Sequence, residues 1–412
     1  MRPPSLRLLA VLALGGTLGG CGKAAPAPGS GAVSAVPAPA SSAVVSVATK
    51  NTTRLGGRDP ASIAAAVALA VYPGLTPATR PQAVVLVNER DWPASLVASA
   101  LASAPLGAPL LYADGDSLPA VSARALRAMR PVGAASLEGA QVIRVATAAP
   151  VPEGYRARSV PAGPPGPEGT AELAGAVQRL LATAAHSAPP GVIALATDAP
   201  PALQMPAAAL AAESGAPILT LTTTGVPATT AATLETLQRP AISVVGEGAL
   251  SSAALAQLAR FGPVKSVAGG TGGRPPSPSE SVDPVKNAIS VSRFSDGAFG
   301  WGIHEAGHGL VFANMGDPLY APAAAPLSSH GDYGPLLLLE RSASLPPPLV
   351  EYLSNIEPGY TNAIRPVRVP YNHGWLLGDG RSISAVAQAE VDALLEIAPR
   401  TSAQEPSVLP PE

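Results

Sequence analysis

The sequence predicts an α/β protein made of three similar small modules, each a parallel sheet with flanking helices. Two observations carry the prediction. Short continuous apolar runs alternate with alanine-rich runs, and the same arrangement recurs three times at fixed proline spacing. Continuous apolar runs suit strands buried on both faces, and alternation of strands with helices gives parallel sheets.

The recurrence is seen by placing three stretches together: VVLVNERDWPASLVASALASAPLGAPLLYADGDSLP from Val84, VIALATDAPPALQMPAAALAAESGAPILTLTTTGVP from Val192, and LVFANMGDPLYAPAAAPLSSHGDYGPLLLLERSASLP from Leu310. In each, a proline opens a second apolar run 25 residues after the first begins: Pro109, Pro217 and Pro335. A further proline follows at Pro119, Pro227 and Pro346.

Within a unit the elements follow in order. The first apolar run is a strand. The alanine-rich stretch after it, such as ASLVASALAS or AAALAAES, suits a crossover helix packing closely on a sheet. The second run is a strand ending in a polar turn. Its proline opens another helix, SARALRAMR or TTAATLETLQ, because proline favours the first helical turn. A third strand is expected at Ile242-Ser243-Val244-Val245 in the second unit and Trp375-Leu376-Leu377 in the third. The units recur at 108 and 118 residues, too long for a solenoid repeat, so each is read as a small domain.

The N-terminus reads as a targeting segment. Arg2 and Arg7 precede an apolar run from Leu8 to Gly16, too short to span a bilayer. The run closes on Leu18-Gly19-Gly20-Cys21, which resembles a bacterial lipobox; the resemblance implies that Cys21 is lipidated and anchors the chain to a membrane. Cys21 is the single cysteine, so no intrachain disulfide is available. Removal of residues 1–20 takes two arginines and moves the net charge from -2 to -4. That is no footprint for nucleic acid, and it gives no overall basic field for an anionic polymer.

Residues 22–51 are Ala, Pro, Ser and Gly with few large apolar side chains, and read as a tether. The expected organisation is a signal peptide (1–20), a disordered tether (21–51), repeats at 52–155, 156–268 and 285–399, a linker at 269–284 and a disordered tail at 400–412.

The units resemble the cell wall binding repeat 2 family. Arg54-Leu55-Gly56-Gly57-Arg58-Asp59 resembles its R-L-x-G opening, and Trp92-Pro93-Ala94-Ser95-Leu96 its F-P-D-A-L helix start, with Ala94 in place of the Asp. Pro109-Leu110-Leu111-Tyr112, Pro217-Ile218-Leu219-Thr220 and Pro335-Leu336-Leu337-Leu338 resemble its P-I-L-L strand. Asp116-Ser117-Leu118-Pro119 resembles the turn that follows. Val244-Val245-Gly246-Glu247-Gly248-Ala249-Leu250-Ser251 is similar to its V-G-G-x-x-A-V-S segment, and Leu376-Leu377-Gly378-Asp379 with Ile383-Ser384 occupies the same place in the third unit.

The resemblance covers roughly residues 53–397. It implies a pseudo-threefold assembly of flavodoxin-like modules that holds a protein non-covalently to an anionic wall polysaccharide. It implicates Leu110, Leu111, Tyr112, Ile218, Leu219, Thr220, Leu336, Leu337 and Leu338 in polymer binding. With Cys21 lipidated, the protein would sit on the outer face of the cytoplasmic membrane, facing the wall. A core role for these residues is the competing reading, with ligands held by turns beyond the strands' carboxyl ends.

HEAGH (304–308) fits the H-E-x-x-H zinc signature, in which two imidazoles share one helix face and Glu acts as general base. The repeat register sets it opposite ATRPQ (78–82) and HSAPP (186–190), both loops leading into a strand. Gly302, Gly307 and Gly309 also disfavour a helix there. A loop carrying His304 and His308 is therefore expected, with His330 or His373 as the further histidines for any weak metal site. No cofactor is expected.

No G-x-S-x-G elbow is present, and GGTGG (269–273) runs into Arg-Pro-Pro rather than a helix. Asp114, Asp116, Asp317 and Asp379 fall at expected strand ends, where carboxylates serve as caps and turn residues. The function expected is thus wall adhesion or scaffolding without catalysis. A solute-binding lipoprotein is the alternative, and a zinc hydrolase a remote one.

Overall fold

Residue patterning translates directly into the elements of the computed structural model, which describes residues 46–267, 282–297, 299–331, 333–360 and 368–399. The end of the expected tether (21–51) is ordered: β1 (Ser46–Ala48) forms a hairpin with β2 (Thr52–Leu55), and Thr49 and Asn51 donate to Asp392. The first repeat opens with β2 and continues with α1 (Pro60–Val71), β3 (Val84–Asn88), α2 (Trp92–Ala98), β4 (Leu110–Ala113), α3 (Ala120–Met129) and β5 (Val142–Val145). The second contains β6 (Ala157–Val160), α4 (Pro167–Ala185), β7 (Val192–Ala196), α5 (Pro201–Ser214), β8 (Ile218–Leu221), α6 (Ala228–Thr236), β9 (Ile242–Val244) and α7 (Ser252–Leu258).

By strand order the third begins with β10 (Val264–Ser266), which lies inside the 156–268 expected for the second repeat, and continues with α8 (Pro284–Arg293), β11 (Gly309–Asn314), α9 (Tyr320–Pro326), β12 (Leu336–Leu339) and α10 (Pro347–Asn355). It ends with β13 (Gly359–Tyr360), β14 (His373–Leu377), α11 (Ala385–Leu394) and β15 (Ala398–Pro399). The two-residue strands β13 and β15 pair with each other in parallel.

Helix starts follow local chemistry. Asp59 caps α1 by accepting from the Ser62 amide and hydroxyl, both at 2.8 Å. Asp91 accepts from Ala94 N (3.0 Å) at the start of α2, and Asp283 from Val285 N (2.9 Å) and Lys286 N (3.1 Å) at the start of α8. Prolines occupy the first turn of α1, α2, α4, α5, α8 and α10, where their missing N–H is no loss.

The strands form sheets ordered β4-β3-β5-β6, β8-β7-β9-β10 and β12-β11-β14-β2-β1, with all pairings parallel except β1 with β2. Each runs from a repeat's second strand through its first and third to the opening strand of another repeat. β6, at the start of the second repeat, completes the first sheet, and β10 completes the second. The opening strand of the first repeat, β2, crosses the whole chain to complete the third, with Leu55 opposite Leu377. Sheets and sequence repeats are therefore out of phase by one strand. The arrangement covers the free edge that β5, β9 and β14 would each present, and unpaired edges invite aberrant pairing.

The alanine-rich helices lie between the sheets. Ala102, Ala212 and Ala325, one from each repeat, form their own fully buried cluster. Side chains this small let helices approach closely while each still covers its sheet. The remaining core is continuous, from Leu55 and Ile63 to Val391 and Leu395.

Candidate functional site

The nine residues expected to contact polymer lie on β4, β8 and β12, and all are buried: Leu110, Leu111, Tyr112, Ile218, Leu219, Thr220, Leu336, Leu337 and Leu338 are each at most 1% exposed. Successive side chains on a strand point to opposite faces of the sheet, so both faces here are covered. Tyr112 turns its hydroxyl to the Leu319 carbonyl at 2.6 Å, linking the first sheet to the start of α9. Ser122 Oγ donates to the Tyr112 carbonyl and Thr230 Oγ1 to the Thr220 carbonyl, both at 2.7 Å, fastening α3 and α6 to the strands before them. These residues can influence a ligand only through the turns they hold.

Those turns are built alike. Asp114 and Ser117, Thr222 and Gly225, and Arg341 and Ser344 each close a short antiparallel bridge at the carboxyl end of the second strand. The end of the first strand braces the turn. Asn88 Oδ1 accepts from Gly115 N (3.2 Å), and the Asp198 carboxylate accepts from Thr223 N (2.7 Å) and Thr223 Oγ1 (2.9 Å). In the third sheet Asn314 Nδ2 donates instead to the Ser382 carbonyl at 3.0 Å. The third strand ends in left-handed backbone at Ala146 (φ 50°), Gly246 (φ 71°) and Gly378 (φ 98°), which turns the chain back across the edge.

Charge at these edges is mixed. Asp114 pairs with Arg90, and Asp379 lies 3.6 Å from Arg58 while accepting from Arg381 N at 2.8 Å. Glu89 is pushed above the usual carboxylate range by burial, reinforced by Asp114 and Asp59. Asp317 contributes its carbonyl to the Tyr320 amide at the start of α9, and Asp116 is exposed. The carboxylates read from sequence as caps and turn residues occur in just such turns.

HEAGH is an irregular loop, as the repeat register predicts. Gly307 has φ +112°, and the Gly307 and His308 amides donate to Asn372 Oδ1 at 2.8 and 3.1 Å. Asn372 is fully buried and also donates to the Ile356 carbonyl at 2.8 Å, so it pins the loop to the core. No helix face presents the two imidazoles together. Burial lowers the pKa of His308, opposed by Glu305, and lowers that of His373, opposed by Asp392. His373 Nε2 lies 3.1 Å from Thr53 Oγ1, and the His330 ring stacks on Tyr72 at 5.0 Å. Among the described residues no group of three or more His, Cys, Asp or Glu could hold a metal ion.

Cys21, the signal and most of the tether, residues 269–281 of the linker and the tail lie outside the described residues. No helix among the described residues is long and apolar enough to cross a membrane.

Sequence reasoning did not single out Asn372 or anticipate the destination of Arg54. The Arg54 guanidinium lies in the third sheet's edge, bonded to the Gly378 carbonyl (2.9 Å), the Asp379 carbonyl (3.1 Å) and Gln388. Burial lowers its pKa, opposed by Asp379. An opening such as R-L-x-G carries no mark of which sheet it will join.

No family model matches the chain, and no curated protein sequence does. Solved structures do. Cwp6 from Clostridium difficile superposes with a TM-score of 0.58 at 16% identity, over 84% of this chain and 48% of that one. Cwp8 from Clostridium difficile gives 0.57 at 16% identity, over 84% of this chain and 52% of that one. The chain thus spans about half the length of the proteins it matches and is similar to them in fold.

Proposed function

We propose that the protein is a cell-envelope surface protein that binds anionic wall polysaccharide non-covalently through the strand-end turns of its three repeats, in an adhesive or scaffolding role without catalysis. The observation that carries this reading is the likeness in fold, over 84% of the chain, to Cwp6 and Cwp8, which are cell wall proteins. The recurring strand order, the three bridged turns and the family-like motifs at 109–112, 116–119, 217–220 and 335–338 support it. A pseudo-threefold arrangement of the repeats and lipidation at Cys21, which would add a membrane anchor, belong to the same proposal. In an open parallel sheet, ligands gather beyond the carboxyl ends of the strands, where these turns lie.

The test is co-sedimentation of the unlipidated Cys21→Ser chain with purified cell walls, before and after removal of their secondary anionic polymers. Pelleting that disappears on stripping is the expected result. Absence of pelleting with intact walls overturns the reading.

A further inference from the structure

A cavity of about 240 Å³ opens at the opposite end of the first sheet, before β3 and β4. The first repeat contributes Tyr72, Arg80 and Gln82 to its wall, and the third contributes Ser329 and His330. We propose that this cavity is a binding site for a compact anion, a carboxylate or phosphate group, gripped by Arg80.

The chemistry of the wall points one way. Arg80 Nε is buried without a hydrogen-bond partner, and among the described residues its guanidinium enters no ion pair. The residue as a whole is half-buried, but a buried donor such as this Nε is costly to leave without a partner. Among the described residues no Asp or Glu lines the cavity. Of the other polar residues that line the space, His330, Gln82 and Tyr72 carry groups able to donate to an anion, while the Ser329 hydroxyl already donates to the Pro326 carbonyl at 3.5 Å. The forked donors of arginine match the paired oxygens of a carboxylate or phosphate, a geometry lysine cannot reproduce.

The arginine is particular to the first repeat. Arg80 sits in ATRPQ, the counterpart of HSAPP and HEAGH, so Ala188 and Ala306 take its place in the other repeats. His330 stacks nearly parallel on Tyr72 (5.0 Å, 11°), so the cavity lies where the first and third repeats meet. The volume suits one monosaccharide-sized acid or a phosphate rather than a polymer segment. The inference does not depend on wall binding, since the anion can be free or carried by a polymer.

The test titrates inorganic phosphate, glucuronate and neutral glucose into the full chain at constant ionic strength, by calorimetry and by thermal shift. Arg80→Gln, Arg80→Lys and the distant surface variant Arg260→Gln are compared with the parent. Phosphate or glucuronate, but not glucose, should raise the melting temperature of the parent and of Arg260→Gln. Affinity should fall at least tenfold in Arg80→Gln, with Arg80→Lys between. The ligand-free melting temperature of Arg80→Gln should equal or exceed that of the parent. A marked fall would instead make Arg80 structural and overturn the proposal, as would anion binding undiminished in Arg80→Gln or absent from the parent.

Wall pelleting separates the sources. Loss of pelleting in Arg80→Gln together with loss of anion binding makes the anion polymer-borne. Normal pelleting alongside lost anion binding makes it a free solute. A parent that binds anion through Arg80 yet does not pellet leaves the cavity standing and removes the wall reading.

Discussion

The Arg54 guanidinium donates to Gln388 Oε1 from Nε at 3.0 Å and from a terminal nitrogen at 2.8 Å, joining the opening strand of the body to its last helix across 334 residues. Gln388 in turn donates to Thr52 Oγ1 at 3.0 Å, so the contact locks β2 in place from both sides. The third sheet is complete only when this strand has returned.

Arg54→Ala should therefore destabilise the whole body, by about 3 kcal/mol, since it strands buried acceptors on Gly378, Asp379 and Gln388. Arg54→Lys should recover only part of this, because an ammonium cannot span the same acceptors. Equilibrium urea unfolding measures both. An unchanged midpoint in Arg54→Ala would mean that closure by β2 contributes little.

The left-handed position after the third strand gives a second prediction. Ala146 adopts φ 50° where the other sheets place Gly246 and Gly378. Ala146→Gly should stabilise by about 0.5 kcal/mol, the relief of left-handed strain exceeding the entropy cost of glycine. Gly378→Ala should cost about 2 kcal/mol or more, because its Cβ would lie 2.7 Å from both Cβ and Oγ of Ser382. Gly246→Ala, whose Cβ would meet nothing nearer than 3.4 Å, should cost about 1 kcal/mol. Thermal melts of the three variants rank them.

Buried strand residues and exposed turn residues should separate stability from binding. Leu111→Ala, Leu219→Ala and Leu337→Ala should each cost about 2–5 kcal/mol, with wall pelleting of the folded fraction unchanged. Thr224→Asp and Ala343→Asp place a negative charge in the second and third turns and should leave the melting temperature unchanged. Under the proposed function they should weaken pelleting several-fold by repelling an anionic polymer. Pelleting unaffected by both would move the binding surface away from these turns.

Alkaline pH should destabilise the fold in a definite window. Burial raises Tyr320 and Tyr352 to about 12, with Tyr352 also hydrogen-bonded to Ser292. An unfolded tyrosine ionises near 10. Above that pH the unfolded chain releases protons that the folded chain retains, so stability is full below about pH 10 and is lost as pH rises toward 12. Unfolding midpoints measured between pH 9 and 12 should fall. Tyr352→Phe and Tyr320→Phe should each flatten the slope, while absorbance at 295 nm reports ionisation only as the protein unfolds.

Much of this molecule was legible in local pattern. Apolar runs at Val84, Val192 and Leu310, the prolines 25 residues beyond each and the alanine-rich stretches between them specify strands, helix starts and crossovers, because those choices depend on a residue's near neighbours and on side-chain periodicity. The loop character of HEAGH followed in the same way from its glycines and its register against ATRPQ and HSAPP.

What tertiary structure alone decided is non-local. The P-I-L-L strands read equally as ligand contacts or as core until both faces of each sheet were seen to be covered, leaving Leu111, Leu219 and Leu337 with at most 1% of their surface exposed. The sheet that Arg54 and Leu55 complete depends on an edge contributed by β14, more than three hundred residues away, and a four-residue strand carries no record of its partner. Arg80 and His330 likewise share a cavity because the segment before β3 and the π-helical turn after α9 come together across some 250 residues, and pairing of that kind is settled by tertiary packing rather than by local propensity.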